Sequence, residues 1–202
     1  MGSTRRRAVL VTALGSALAA AGCLPLAATG IAVGTMMAVD RRPVSVQAAD
    51  TEIELRAANR LPDAIRGASG VGVTSFNRRV LLTGQVPDDA AKAEAERTVR
   101  QIAGVREVFN ELEIGPRASF GTVTNDTSIT AAVRGAFIER KGLSVHPVKV
   151  VTENGIVYLM GLVTTGEATG YSDAASRVGG IRRVVTMYEY LSDEELAKIN
   201  AR

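Results

Sequence analysis

Tryptophan is absent from this 202-residue chain, histidine and cysteine occur once each, and aromatic residues make up only 4%. Each scarcity closes a class of function. With His146 the sole histidine and Cys23 the sole cysteine, Ser/His/Asp and Cys/His catalytic arrangements lack their parts, and no Cys/His cluster is available for a metal. One cysteine also makes no disulfide framework. His146 stands before Pro147 at the entry to a strand, where an exposed structural role suits it. The glycines of "GVGVTS" precede neither a helix nor a P-loop lysine, so they cradle no phosphate. Few rings leave stacking platforms for single-stranded nucleic acid poorly supplied. Acid is missing before Asp40, and this explains the net charge of +3. Without residues 1–22 the 24 basic side chains lose three arginines and equal the 21 acidic ones. A neutral body is a poor polyanion binder. The expectation is a non-catalytic protein with no cofactor, no metal and no nucleic-acid partner.

What the N-terminus does contain is an export pattern. Arg5, Arg6 and Arg7 precede the apolar "AVLVTALGSALAAA", and small residues lead into Cys23. The run Ala20-Ala21-Gly22-Cys23 resembles the lipobox of bacterial lipoproteins, in which the thiol is acylated and the chain is cut ahead of it. A lone cysteine at this place favours lipidation. This reading makes residues 1–22 a signal peptide and residues 23–49 a lipidated Cys23 followed by a flexible tether. The uncharged run Ala8–Val39 also exceeds the roughly 20 residues that span a bilayer, so an uncleaved helical anchor is the alternative. Either way the chain is held at a membrane.

The rest says nearly the same thing twice. "VLLTGQV" begins at Val80 and "VYLMGLV" at Val157, 77 residues later. Asp50-Thr51-Glu52-Ile53 matches Asp126-Thr127-Ser128-Ile129, and Gly104-Val105-Arg106 matches Gly180-Ile181-Arg182. Each copy reads as helix, strand, strand, helix, strand. Asp50 and Asp126 suit N-caps, and Ile129, Val133, Ala136 and Phe137 recur at helical spacing. Hairpin turns are predicted at Asn77-Arg78 and Asn154-Gly155. The domains are therefore residues 50–114 and 126–191, joined by a linker over 115–125 and followed by a tail over 192–202. The fold class is α+β, two tandem modules each packing two helices on one face of a three-stranded sheet. Gly84 and Gly161 are expected where a strand bends or a helix approaches closely, with a ligand contact as the weaker alternative.

The V-x-L-x-G-x-V return strands and the Gly-Val/Ile entries to the last strands resemble the BON domain. The whole resembles dual-BON-domain lipoproteins of the Gram-negative outer membrane, notably in Thr124–Thr130, Val151–Gly155 and Leu159–Thr164. The resemblance implies a lipid-anchored, periplasm-facing protein that binds anionic phospholipid and supports envelope integrity, in the context of division or stress. Charge points to the second module as the binder. Residues 50–114 carry 9 basic and 11 acidic side chains, against 7 and 6 in residues 126–191. Thr127, Ser128, Thr130, Ala131 and Arg134 are expected on the outward side of the helix at Asp126, with Arg140, Lys141 and Lys149 nearby. Basic side chains at a charged surface each contribute up to ~1 kcal/mol. Ser128 stands where an interfacial aromatic would help, which implies shallow, salt-sensitive contact. The competing reading is a scaffold for envelope proteins or cell-wall machinery, without lipid specificity.

Overall fold

The computed structural model describes residues 40–63, 65 and 70–201. Module one runs α1 (Val44–Arg60), β1 (Gly72–Phe76), β2 (Arg79–Thr83), a short β3 (Gln85–Val86), α2 (Asp89–Arg100), β4 (Glu107–Asn110) and β5 (Glu113–Ile114). Module two runs α3 (Phe120–Glu139), β6 (Val148–Glu153), β7 (Ile156–Val163), α4 (Thr165–Ser176) and β8 (Arg183–Tyr190), and α5 (Asp193–Asn200) follows it. The sheet orders are β1-β2-β4 and β6-β7-β8. In each the middle strand pairs antiparallel with its hairpin partner and parallel with the last strand. A parallel pair needs a crossover, and α2 and α4 supply it. The α+β architecture with two helices per three-stranded sheet is the one the sequence pattern implies.

The duplicated aspartates do not cap helices. Asp50 and Asp126 lie inside α1 and α3, are buried, and point at the hairpin turns of their own modules. Asp126 accepts the backbone N–H of Asn154 and Gly155 at 2.7 and 2.8 Å. Asp50 accepts those of Asn77 and Arg78 at 2.8 and 2.6 Å and the Ser75 hydroxyl at 2.7 Å. Both central residues of each turn have positive φ, including the non-glycine Arg78 at 63°, which is strained for an L-residue. The carboxylate holds the turn in that state by taking its free N–H groups. Asp is therefore required here as an acceptor reaching from helix to hairpin, a role that sequence spacing alone cannot tell from an N-cap.

The repeated glycines mark close backbone approach. A Cβ at Gly84 would lie 2.6 Å from the Gly70 carbonyl oxygen, and one at Gly161 2.8 Å from that of Pro147. Gly84 also has φ of +110°, which breaks module one's ladder into β2 and β3; β7 runs unbroken. The neighbour is in both cases the chain entering the first strand, not a helix.

Each module has an apolar core between its helices and its sheet, but a third core joins the modules. Phe76 and Leu81 of module one pack with Ile156, Tyr158, Met160, Leu162 and Met187 of module two. All eight residues of β7 are buried, because alternate side chains face α3 and α4 or module one's sheet. Its near-continuous apolar sequence answers to that double burial. Desolvation at this seam pushes the Tyr158 phenol up to about 12. Polar pairs rim the seam: Lys149–Glu54 at 2.8 Å, Arg106–Glu189 at 3.2 Å, and Asn154 Nδ2 donating to Glu113 at 3.0 Å.

Three segments differ from the sequence reading. Residues 40–49 are not flexible tether, since α1 begins at Val44 and the two preceding arginines are fixed. Arg41 donates to both oxygens of Glu167 at 2.7 and 2.8 Å and to the Leu162 carbonyl at 2.7 Å. Arg42 pairs with Asp40 and Asp50 and lies 4.0 Å above the Phe76 ring. The linker expected over 115–125 gives way to helix at Phe120, because Ser119 accepts the Thr122 N–H as an N-cap. The tail over 192–202 contains α5, started by a Ser192/Glu195 capping box.

Removing the helix-to-hairpin acceptor orphans two turn N–H groups. Asp126→Ala should cost about 2–4 kcal/mol in chemical denaturation, and an unchanged midpoint would refute the assigned role. The Arg41 hydrogen bonds hold the Glu167 carboxyl below the usual carboxylate range. A lowered folded-state pKa means stabilisation that is full at neutral pH and is lost as pH falls through that pKa. Arg41→Ala should therefore lower stability by about 1–2 kcal/mol at neutral pH, the part-exposed pair being discounted for solvent. The gap to the parent should narrow below about pH 4 in thermal melts across pH.

Candidate functional site

The N-cap at Ser119 lengthens α3 to 20 residues, about 30 Å at helical rise. One face is core: Ile129, Val133 and Phe137 are buried, and Phe137 meets Tyr171 edge-on at 4.9 Å. The opposite side carries Phe120, Val123, Thr127, Ala131, Arg134 and Ile138, all exposed and spaced three or four apart, hence on one stripe. Phe120 is 87% exposed, Val123 52% and Ile138 71%. Apolar residues thus occupy both faces of this helix. The hydroxyls on the outer side are already satisfied: Thr124, Thr127 and Ser128 donate to the carbonyls of Phe120, Val123 and Thr124 at 3.0, 2.9 and 3.1 Å. A face whose donors are bonded internally loses less on leaving water.

The expected site residues divide. Thr127, Ser128, Ala131 and Arg134 are exposed on the outer side, and Lys141 is exposed just beyond the helix end. Arg134 and Lys141 have no ion-pair partner among the described residues. Arg140 is half-buried and sits 3.5 Å from Asp173. Thr130 does not face outward, since its hydroxyl donates to Thr152 on β6 at 2.7 Å. Lys149 projects from the sheet face that meets module one and is taken by Glu54; alternation along β6 turns it away from α3. Cys23 lies outside the described residues. The interfacial aromatic sought at Ser128 stands two turns earlier, as Phe120. "SFGT" held the signal for it, a cap serine followed by a ring, before a helix read too short.

Module one's helices present a different surface. Arg56, Arg97 and Arg100 are paired with Glu52, Glu94 and Glu96 on the same helices, so their charge is neutralised locally. Among the described residues no helix is long and apolar enough to cross a membrane, and no His/Cys/Asp/Glu group could hold a metal.

The BON domain pattern matches residues 49–116 and again residues 125–190. The chain belongs to the BON domain family. Its BON pair is also similar to an outer membrane lipoprotein, DolP, of Haemophilus influenzae, 34% identical over 90% of this chain and 95% of that one. A 21 kDa hemolysin of Actinobacillus pleuropneumoniae is 31% identical over 76% of this chain and 80% of its own length. Among solved structures, CdsD of the Chlamydia trachomatis type III secretion system covers 71% of the BON chain and 97% of its own, with 15% identity and a TM-score of 0.29, too low for inference. Both BON domains here place a buried aspartate under the hairpin turn, and the first helix of the second carries Phe120, Val123 and Ile138 exposed on the same side as Arg134.

Proposed function

We propose that this BON protein is an outer-membrane lipoprotein, anchored through acylated Cys23 and facing the periplasm, which binds anionic phospholipid with the outer side of α3. It is non-catalytic and supports the integrity of the envelope, with division or envelope stress as the setting. The observation that carries the reading is the exposed stripe headed by Phe120 and flanked by the unpaired Arg134 and Lys141. A ring at an interface, a few basic side chains and a covalent lipid together hold a protein at a membrane where one alone is marginal. The likeness to a named outer membrane lipoprotein over 90% of the chain supports the location. A scaffold for envelope proteins or cell-wall machinery is the second reading, favoured by Val44 and Leu55, which are 54% and 61% exposed on α1.

Co-sedimentation with vesicles tests the lipid reading. Phe120→Ser should weaken binding about tenfold, as burial of one ring predicts. Reversal of both Arg134 and Lys141 to Glu should weaken it by at least about tenfold on anionic vesicles and abolish its salt dependence. Ser128→Trp should strengthen it. Binding that ignores all three changes while responding to Leu55→Ser would move the contact to module one. For the anchor, intact-mass analysis of the membrane-extracted protein should show loss of residues 1–22 and an added acyl mass; the unmodified full-length chain would refute it.

A further inference from the structure

Asn154-Gly155 is the sole Asn-Gly pair of the chain, and its chemistry reaches beyond turn formation. Glycine has no side chain to shield the preceding asparagine amide from the backbone nitrogen between them. The Gly155 nitrogen can attack the side-chain carbonyl carbon of Asn154, and an N–C bond forms as the bond to Nδ2 breaks. Nδ2 leaves as ammonia, carrying the proton that the Gly155 nitrogen gives up. Water then opens the cyclic imide to aspartate or isoaspartate. Water is the one co-reactant.

The folded chain restrains each group that this reaction uses. Gly155 is buried, and Asp126 Oδ1 holds its N–H at 2.8 Å. The leaving Nδ2 donates across the seam to Glu113 at 3.0 Å. A carboxylate there accepts a hydrogen and offers none to the departing amine. The Asn154 carbonyl accepts from Arg182 Nη1 at 3.0 Å and the Gly155 carbonyl from the Arg182 backbone N–H at 2.8 Å. Ring closure must turn the peptide out of these bonds. Module one supplies an internal control. Asn77 holds the corresponding place and likewise donates across the seam, to Glu189 at 2.8 Å, but the residue after it is Arg78. Each module thus lends the other one turn asparagine, and only the second is followed by glycine. A carboxylate at 154 would meet Glu113 where the amide now donates, with Asp126 and Glu153 nearby. Burial and the charges of Asp126 and Glu113 already hold the Glu153 carboxyl above the usual carboxylate range. A further like charge there repels its neighbours.

We propose that Asn154 is a deamidation site held in check by its contact with Glu113 across the seam, and that its conversion to aspartate irreversibly weakens the joint between the modules. The purified full-length protein, aged in mildly alkaline buffer, is followed by peptide mapping for aspartate and isoaspartate. Asn154 should convert at least about tenfold more slowly in the folded protein than in denaturant, the factor that one charge-assisted hydrogen bond supplies. Asn77 should stay unconverted in the same folded samples. Glu113→Ala should speed conversion of Asn154 in the folded protein several-fold, and Glu113→Gln, which keeps an acceptor, should restore most of the protection. Equal rates in the folded and denatured chain overturn the protection, and a rate in Glu113→Ala equal to the parent's overturns the role of the seam. For the consequence, Asn154→Asp should lower the midpoint of chemical denaturation, and adding Glu113→Gln to it should recover part of the loss. An unchanged midpoint in Asn154→Asp, or no recovery in the double variant, overturns the repulsion.

Discussion

Everything outside the two module cores depends on the burial of β7 from both sides. One face of this strand closes the core under α3 and α4, and the other is the floor of the seam with Phe76, Leu81 and Phe109. Antiparallel sheets in small domains often leave one face wet, and neither module here does so. The seam consumes both inner faces and forces the helices of each module outward. The surface open to partners is therefore helical, and its chemistry is set by which residues the two copies carry on their first helices. Divergence there was free to proceed, because those positions support neither a core nor the seam.

That division explains what the sequence made legible. Positions under packing constraint, such as Ile53 with Ile129 or Val80 with Val157, kept their apolar character in both copies, so the duplication and the element order could be read directly. The hairpin turn at Asn154-Gly155 was equally plain, since Asn-Gly has few other uses, and the repeat carried that reading to Asn77-Arg78. The buried aspartates were visible as a repeat but misread as caps, because a carboxylate accepting N–H groups from a distant turn looks identical in sequence to one accepting them from its own helix. The start of α3 was misplaced for the same reason, with Ser119 overlooked in favour of Asp126.

The site itself was only partly legible. Periodicity placed Thr127, Ala131 and Arg134 outward and erred by one position at Thr130, whose hydroxyl the β6 residue Thr152 captures. Lys149 could not be assigned without knowing that its strand faces a second sheet. The seam was invisible because nothing in one copy states what covers its far face; only the fully apolar run of β7 hinted at it. Cations were counted correctly but their pairing was not, and pairing separates Arg56, Arg97 and Arg100 of module one, each matched to a glutamate on its own helix, from Arg134 and Lys141 of module two.

The two arginines ahead of α1 also have a mechanical meaning. Arg41 grips module two through Glu167 and Leu162, and Arg42, one residue later, grips module one through Asp50. A load arriving along the preceding chain thus meets both modules at one point. It cannot peel α1 from its end, because tension must first rupture several short, charge-assisted bonds together. If the chain hangs from a membrane by its N-terminus, drag on the folded part is shared across the seam, and the linkage behaves as a rigid shackle instead of a fraying strap.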